Sequence, residues 1–400
     1  MPMTTPPASA ERVQTLVVGA GPVGLFAALC AQRRGLQVLL LDQSWRNYAP
    51  GHATLLHPSS LALLQEGGLA DTLRAKGRAV ERVDVRIDGV KVQTLTLPSP
   101  ALAVSQRLLE EVLLEALRKG SVELRAAHQA TTIDQHDGHV EVRVMRRELI
   151  TDSSPALGGE WEPVESSIVR ADFVIGADGY DSRVRAALGI DVVDLGHTET
   201  FAMFELPSQH QPAAPSELCF NDELGSAMVP LAGERARWAF QISDKLDATA
   251  DRARFRELLT ERAPWYQGDT ERIDWGTVIQ FERRLARRFG KRRAWLAGDS
   301  AHVTSPLGGH SMNVGLLEAH DLAHRIADCV KANQGHASLE RYGSEREREW
   351  HKLLGLNVRF DLLPHAPPWL ATHARRIVPA LPASGADLTQ ILSGLGLRLI

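Results

Sequence analysis

Residues 15–42 limit what this chain can fold into more than any other stretch. Leu16, Val17 and Val18 form an apolar run that reads as a buried strand, and Gly19–Ala20–Gly21–Pro22–Val23–Gly24 follows at once. Residues 25–34 read as a helix, Gly35 ends it, and residues 38–41 form a second apolar strand closing on Asp42. Strand, glycines, helix, strand and terminal acid in that order are the dinucleotide-binding fingerprint in its full context. Gly19 permits the tight turn, Gly21 lets the backbone approach a pyrophosphate, and Gly24 allows close helix–strand packing, with Pro22 between them. Asp42, about 20 residues on, stands where a carboxylate accepts from a ribose 2′-OH. That carboxylate alone does not separate FAD from NAD.

Two later stretches repeat the theme. Residues 172–175 read as a buried strand ending in Gly176–Ala177–Asp178–Gly179, with a short helix over 182–188. Residues 294–297 form another apolar strand, Gly298–Asp299–Ser300 ends it, and Pro306 with Gly308–Gly309 holds an irregular loop. From about Ser311 the pattern turns helical, with Val314, Leu317 and Leu322 near a 3.6-residue period. A helix N-terminus has backbone N–H groups without internal partners and favours negative charge. The N1/C2=O edge of a reduced flavin would suit such a terminus. Taken singly, each stretch is also an ordinary strand–turn–helix.

The rest of the chain supplies a second layer. Residues 55–69 carry a helical pattern, residues 80–97 a hairpin about Asp88–Gly89, and residues 108–119 an amphipathic helix led by Gln106. Strands are expected at 122–124 and 130–144, and a polar surface loop at 151–165. Residues 192–280 alternate in short segments and read as an antiparallel sheet, joined by the 80–97 hairpin and interrupted by a helix at 250–261. Residues 337–356 form a charged amphipathic helix, on which Arg346–Glu347–Arg348 read as a solvated face, and the remainder is helical with proline breaks.

Composition narrows the function. Forty-five Lys and Arg against 49 Asp and Glu give a net charge of −4, which argues against a general nucleic-acid binder. The three cysteines are too few and too widely spaced for a disulfide framework or a zinc site, and no metal is expected. No run of about 18 apolar residues indicates a membrane span, and residues 1–12 read as a polar tail without a secretory signal. A reducing cytoplasm is the expected compartment.

GAGPVG at 19–24, GADG at 176–179 and GDSAH at 298–302 with its Pro/Gly loop together resemble the FAD-dependent aromatic hydroxylases, the single-component flavin monooxygenases related to p-hydroxybenzoate hydroxylase. The resemblance covers residues 16–322. It implies an α/β fold: a Rossmann-like FAD-binding domain with a mostly parallel sheet (13–79, 98–190 and 281–335), an antiparallel β-sheet substrate domain (80–97 and 191–280) and a C-terminal helical segment (336–400). It implies that Gly19, Gly21, Pro22, Gly24 and Asp42 hold the ADP half of FAD. By the same resemblance Gln106 touches the ribityl chain, Asp178 and Gly179 serve FAD and NAD(P)H, and Asp299 binds the ribityl or pyrophosphate region. Pro306, Gly308, Gly309, His310, Ser311, Met312 and Asn313 would wrap the isoalloxazine. NADH or NADPH would bind transiently, and O2 would react at the reduced flavin to give a C4a-hydroperoxide that hydroxylates an aromatic small molecule.

Three positions depart from the family pattern. His52 stands where the family usually carries Arg, Gly308–Gly309–His310–Ser311 where it reads Gly-Gly-Gln-Gly, and Glu318–Ala319–His320 where it reads Asp-Ala-Asn. An FAD-dependent epoxidase or reductase of an isoprenoid, and a non-catalytic FAD-fold binding protein, stay open at this level.

Overall fold

The computed structural model describes residues 10–44, 55–150, 160–196, 198–208, 214–221, 224–243, 249–332, 336–356 and 359–400. His52 lies outside them. The first sheet is built on Glu11–Val18, which pairs in parallel with Val38–Leu41 on one side and with Glu160–Gly176 on the other. Ala294–Leu296 adds in parallel beyond Glu160–Gly176, and Glu123–Arg125 beyond Val38–Leu41. These strands are apolar, and Pro22–Arg33 packs on them with Gln106–Arg118 and His310–Ala332 at its sides. The three strand ends that carry Gly19, Asp178 and Asp299 are therefore neighbours at one edge of the sheet.

The second sheet has the order Trp275–Phe281, Glu199–Pro207, Arg235–Ile242, Leu224–Leu231, Ser216–Asn221, Arg78–Ile87, Val90–Ala103 and Leu55–Leu56. It is antiparallel throughout except where Ser216–Asn221 runs parallel to Arg78–Ile87. Its two faces have different fates. Ala202, Phe204, Leu206, Trp238 and Phe240 pack under the Arg252–Arg262 helix. The alternate residues Phe201, Met203 and Ala239 face the other way and meet Leu307 of the loop over 304–309.

The structure corrects several expectations. Residues 55–69 are not one helix: Leu55–Leu56 is a strand, and Pro58–Glu66 and Ala70–Lys76 are separate helices. Pro58 starts the first of these, and Gly68, at φ +66°, breaks the chain before the second. The loop expected to 165 gives way to strand from Glu160, which pairs with the exposed end of Val140–Ile150. Val164 and Ile150 are exposed there, so no buried face leaves a periodic signal. Ser216–Asn221 went unread because its apolar run is only three residues, Leu218–Cys219–Phe220. Arg346 is not on a solvated face: its side chain is 17% exposed and pairs with Glu349 at 2.5 Å, whereas Arg348 is exposed.

Candidate active site

The glycine turn is shaped by sterics that can be read directly. Gly19 has φ +102°, and a Cβ there would stand 2.2 Å from the Ala177 carbonyl oxygen. A Cβ on Gly24 would stand 1.9 Å from the Gly19 oxygen, so only hydrogen fits where helix meets strand. Gly21 differs: a Cβ would meet nothing within 4 Å. Its bare backbone faces a cleft of about 670 Å³ shared with Gly19, Asp42, Asp178 and Gly179. That open strip of backbone at a helix N-terminus, with Pro22 inside the first turn, fits a pyrophosphate.

The two acids of this cleft are already held by protein. Asp42 accepts from the Ala20 N–H at 2.6 Å and from the Ser44 N–H at 2.7 Å, which ties the second strand end to the glycine turn. Asp178 accepts from Ser182 Oγ and from the Arg183 and Val184 N–H groups, so it also caps the Arg183–Ala187 helix. Burial nonetheless pushes the Asp178 carboxyl pKa above its ordinary value.

A second cleft, of about 940 Å³, opens between the first domain and the free face of the second sheet. Gln106, Asp299, Pro306, Gly309, Ser311 and Met312 line one side of it, and Met203, Ala227, Val229, Ala239 and Phe281 the other. Gln106 begins its helix beside the Ser105 cap and donates to Glu110 at 2.9 Å. Asp299 opens onto the cleft from the Gly298–Ser300 turn, and the protein packed around it pushes its carboxyl pKa up.

The long helix starts at His310, one residue before the expected start, and Gly309 precedes it at φ +66°. Ser311 Oγ accepts from the Thr304 N–H at 3.1 Å, drawing the helix start against the loop. Asn313 is spent on the scaffold: it accepts from the His57 N–H and donates to the Leu55 and Gly309 carbonyls. Its side chain thus fixes the loop rather than facing the cleft. Gly308 packs against the Pro379 carbonyl, and His310 lines a different cavity on the far side of the loop.

Sequence reading missed the group that fastens Asp299. Glu318, fully buried, accepts from the Gly298 N–H, from His302 Nε2 and from Trp350 Nε1, each at 2.8 Å. The His302 ring also stacks on Trp350 at 3.8 Å. The substitution at Glu318 was visible as a departure from the family pattern, but no spacing ties residues 298, 302, 318 and 350. Among the described residues His136, His139 and Glu141 bring ligand atoms within 4.8 Å of one another, on an edge hairpin where Glu141 pairs with Arg170.

The FAD binding domain family matches residues 12–355. The chain belongs to that family, and FAD is its cofactor. Its relatives include 6-methylpretetramide 4-monooxygenase of Streptomyces rimosus, 26% identical over 85% of this chain and 60% of that one. Para-nitrophenol 4-monooxygenase of Pseudomonas sp. strain WBC-3 is 26% identical over 83% of this chain and 82% of its own length. The chain thus spans less than two thirds of the first relative and most of the second. In structure it is similar to p-nitrophenol 4-monooxygenase PnpA from Pseudomonas putida DLL-E4, with TM-score 0.74, 22% identity, and 96% and 97% of the two chains covered. A ternary complex of aklavinone-11 hydroxylase with FAD and aklavinone has TM-score 0.70 at 23% identity, over 96% of this chain and 73% of that one. The three-motif resemblance and the fold class hold, and the named relatives are monooxygenases.

Proposed function

We propose that the chain hydroxylates an aromatic small molecule, consuming NADH or NADPH and O2. The observation that carries this reading is a pair of clefts at neighbouring strand ends. A pyrophosphate-shaped cleft at Gly21 and an apolar, sheet-walled cleft beside Asp299 lie along one edge of the first sheet. FAD supplies the redox chemistry when bound, while the protein orients the partners and excludes water. Gly19, Gly21, Pro22, Gly24 and Asp42 would hold its ADP half, with Asp178 and Gly179 at the rim, and Gln106 and Asp299 its ribityl chain. Pro306, Gly309, Ser311 and Met312 would border the isoalloxazine, and the sheet face, rich in Met203, Val229 and Phe281, would meet an apolar ring. The homologous Streptomyces and Pseudomonas proteins bear names of aromatic monooxygenases, which supports the same class of substrate.

A reducing cytoplasm agrees with three cysteines that are all free and buried, and among the described residues no helix is long and apolar enough to cross a membrane. The test is incubation of the FAD-loaded chain with NADH or NADPH and a phenol and polycyclic panel under labelled oxygen gas. One labelled oxygen atom in a product is expected. Nicotinamide oxidation with no labelled product from any ring would refute the reading.

A further inference from the structure

Across the loop from the flavin-side cleft lies a second cavity, of about 700 Å³. The two meet at Thr304, Ser305 and Leu307, which line both. Leu307 is the partition. It packs on Phe201, Met203 and Ala239, and Gly225 leaves it room, since a Cβ there would stand 2.8 Å from Leu307 Cδ1. The floor of this chamber is the same sheet face further along the strands, because Glu199, Phe201 and Met203 alternate on one side. A ring seated here therefore abuts the flavin-side cleft.

Glu199 is the charged group of the chamber with no evident use in the fold. Its buried Oε2 and the buried Oγ of Ser305, which also lines the chamber, make no well-formed hydrogen bond and have only a weak interaction with each other. A buried polar atom so weakly paired calls for a reason, and a donor carried by a ligand would supply one. Arg283, Arg375 and Arg376 line the same space, three cations against one carboxylate, so negative charge formed in it is favoured. Phe220, Trp350 and Leu354 give it apolar walls.

We propose that this chamber takes a hydroxylated aromatic ring and that Glu199 is the base that removes its hydroxyl proton; the inference rests on the monooxygenase reading above. In the step, the phenolic O–H bond breaks and its proton bonds to a Glu199 carboxylate oxygen. The electron pair stays on the phenolate and enriches the ortho and para carbons, with nothing oxidised or reduced. The arginines stabilise the anion. The oxygen atom then comes from O2, and the two electrons from NADH or NADPH by way of FAD. Burial raises the Glu199 carboxyl pKa above its ordinary value, outweighing the pulls of Arg283 and of the Ser305 hydroxyl, which narrows the gap to a phenol near 10.

The test uses the full FAD-loaded chain and phenols of graded acidity. Glu199→Gln keeps the size and removes the base. For an unactivated phenol near neutral pH, kcat should fall about 100-fold or more and recover as rising pH ionises the substrate unaided. For 4-nitrophenol, which ionises readily, the loss should stay within about threefold, and flavin reduction by the nicotinamide should be unchanged. Equal losses for both phenols, or no loss for either, would overturn the inference. If Glu199→Gln fails to hold FAD, Glu199→Asp takes its place: the shorter carboxylate should slow the weakly acidic phenol more than 4-nitrophenol, and equal slowing overturns the inference. A wild type that hydroxylates no ring fails at the earlier reading; one that hydroxylates and is matched by Glu199→Gln fails only here.

Discussion

Replacing Glu318 with alanine tests how the Asp299 turn is held. The carboxylate receives three buried donors, the Gly298 N–H, His302 Nε2 and Trp350 Nε1, each at 2.8 Å. Glu318→Ala strands all three where side-chain burial is complete. One unpaired buried donor costs about 1–3 kcal/mol, and three are left here. The three losses share one cavity and do not simply add, since water can enter and serve more than one donor. A destabilisation of about 4 kcal/mol is the expected result, a fall in melting temperature of roughly 5 °C for a chain of this length. Because the Gly298 N–H belongs to the turn that presents Asp299, FAD affinity should fall along with stability. Glu318→Gln keeps one oxygen acceptor and should lose clearly less, and Trp350→Phe, which removes a single donor, about 1–3 kcal/mol. The assays are thermal unfolding followed by circular dichroism and FAD titration by fluorescence quenching. A Glu318→Ala protein that melts within a degree or so of wild type and binds FAD equally well would refute the reasoning.

Other expectations follow from the same geometry. Gly24→Ala puts a Cβ 1.9 Å from the Gly19 oxygen and should cost about 3 kcal/mol with loss of FAD. Gly21→Ala meets nothing within 4 Å, so unfolding should shift by less than about 0.5 kcal/mol while FAD affinity drops; a Gly21→Ala protein with wild-type affinity would remove the pyrophosphate from this cleft. Asp299→Ala should weaken FAD binding in a spectroscopic titration, whereas Arg348→Ala, on an exposed helix position, should leave it unchanged; equal effects would undo the site assignment. Burial pushes the His57 imidazole pKa down to about 3 and that of His310 to about 4. Unfolded, both titrate near 6.5, so from there down to about pH 4 the unfolded chain binds more protons and stability falls with pH, by up to about 2.7 kcal/mol per unit. Asp178 and Asp299, whose pKa values are raised, act in the opposite sense at the acid end. Denaturation of wild type and His57→Gln across this range should show the shallower slope in the variant, and identical slopes would count against a neutral buried His57.

The glycine turn and the strand ends around it were legible from residues alone because their constraints are local. A turn that admits only glycine at Gly19 and Gly24, and an acid at the end of the next strand, are demands made by a few consecutive backbone units, and they leave a spaced record in the chain. The hairpin about Asp88–Gly89 was readable for the same reason, since both residues sit at positive φ. Where the demand is local but satisfied by hydrogen bonds rather than by burial, the record fades. The far end of Glu160–Gly176 is exposed on both faces, and its polar residues pass for a loop. What only the tertiary structure decided lies between distant residues. Glu318 gathers donors from positions 298, 302 and 350, and Asn313 reaches back to Leu55 and His57. Leu307 divides the space under the sheet, and Arg346 turns out to be largely buried while Arg348 on the same helix stays in solvent. None of these has a period or a motif, because a contact between two packed elements depends on how strands and helices are stacked. Many different residue pairs can meet that need at any one junction.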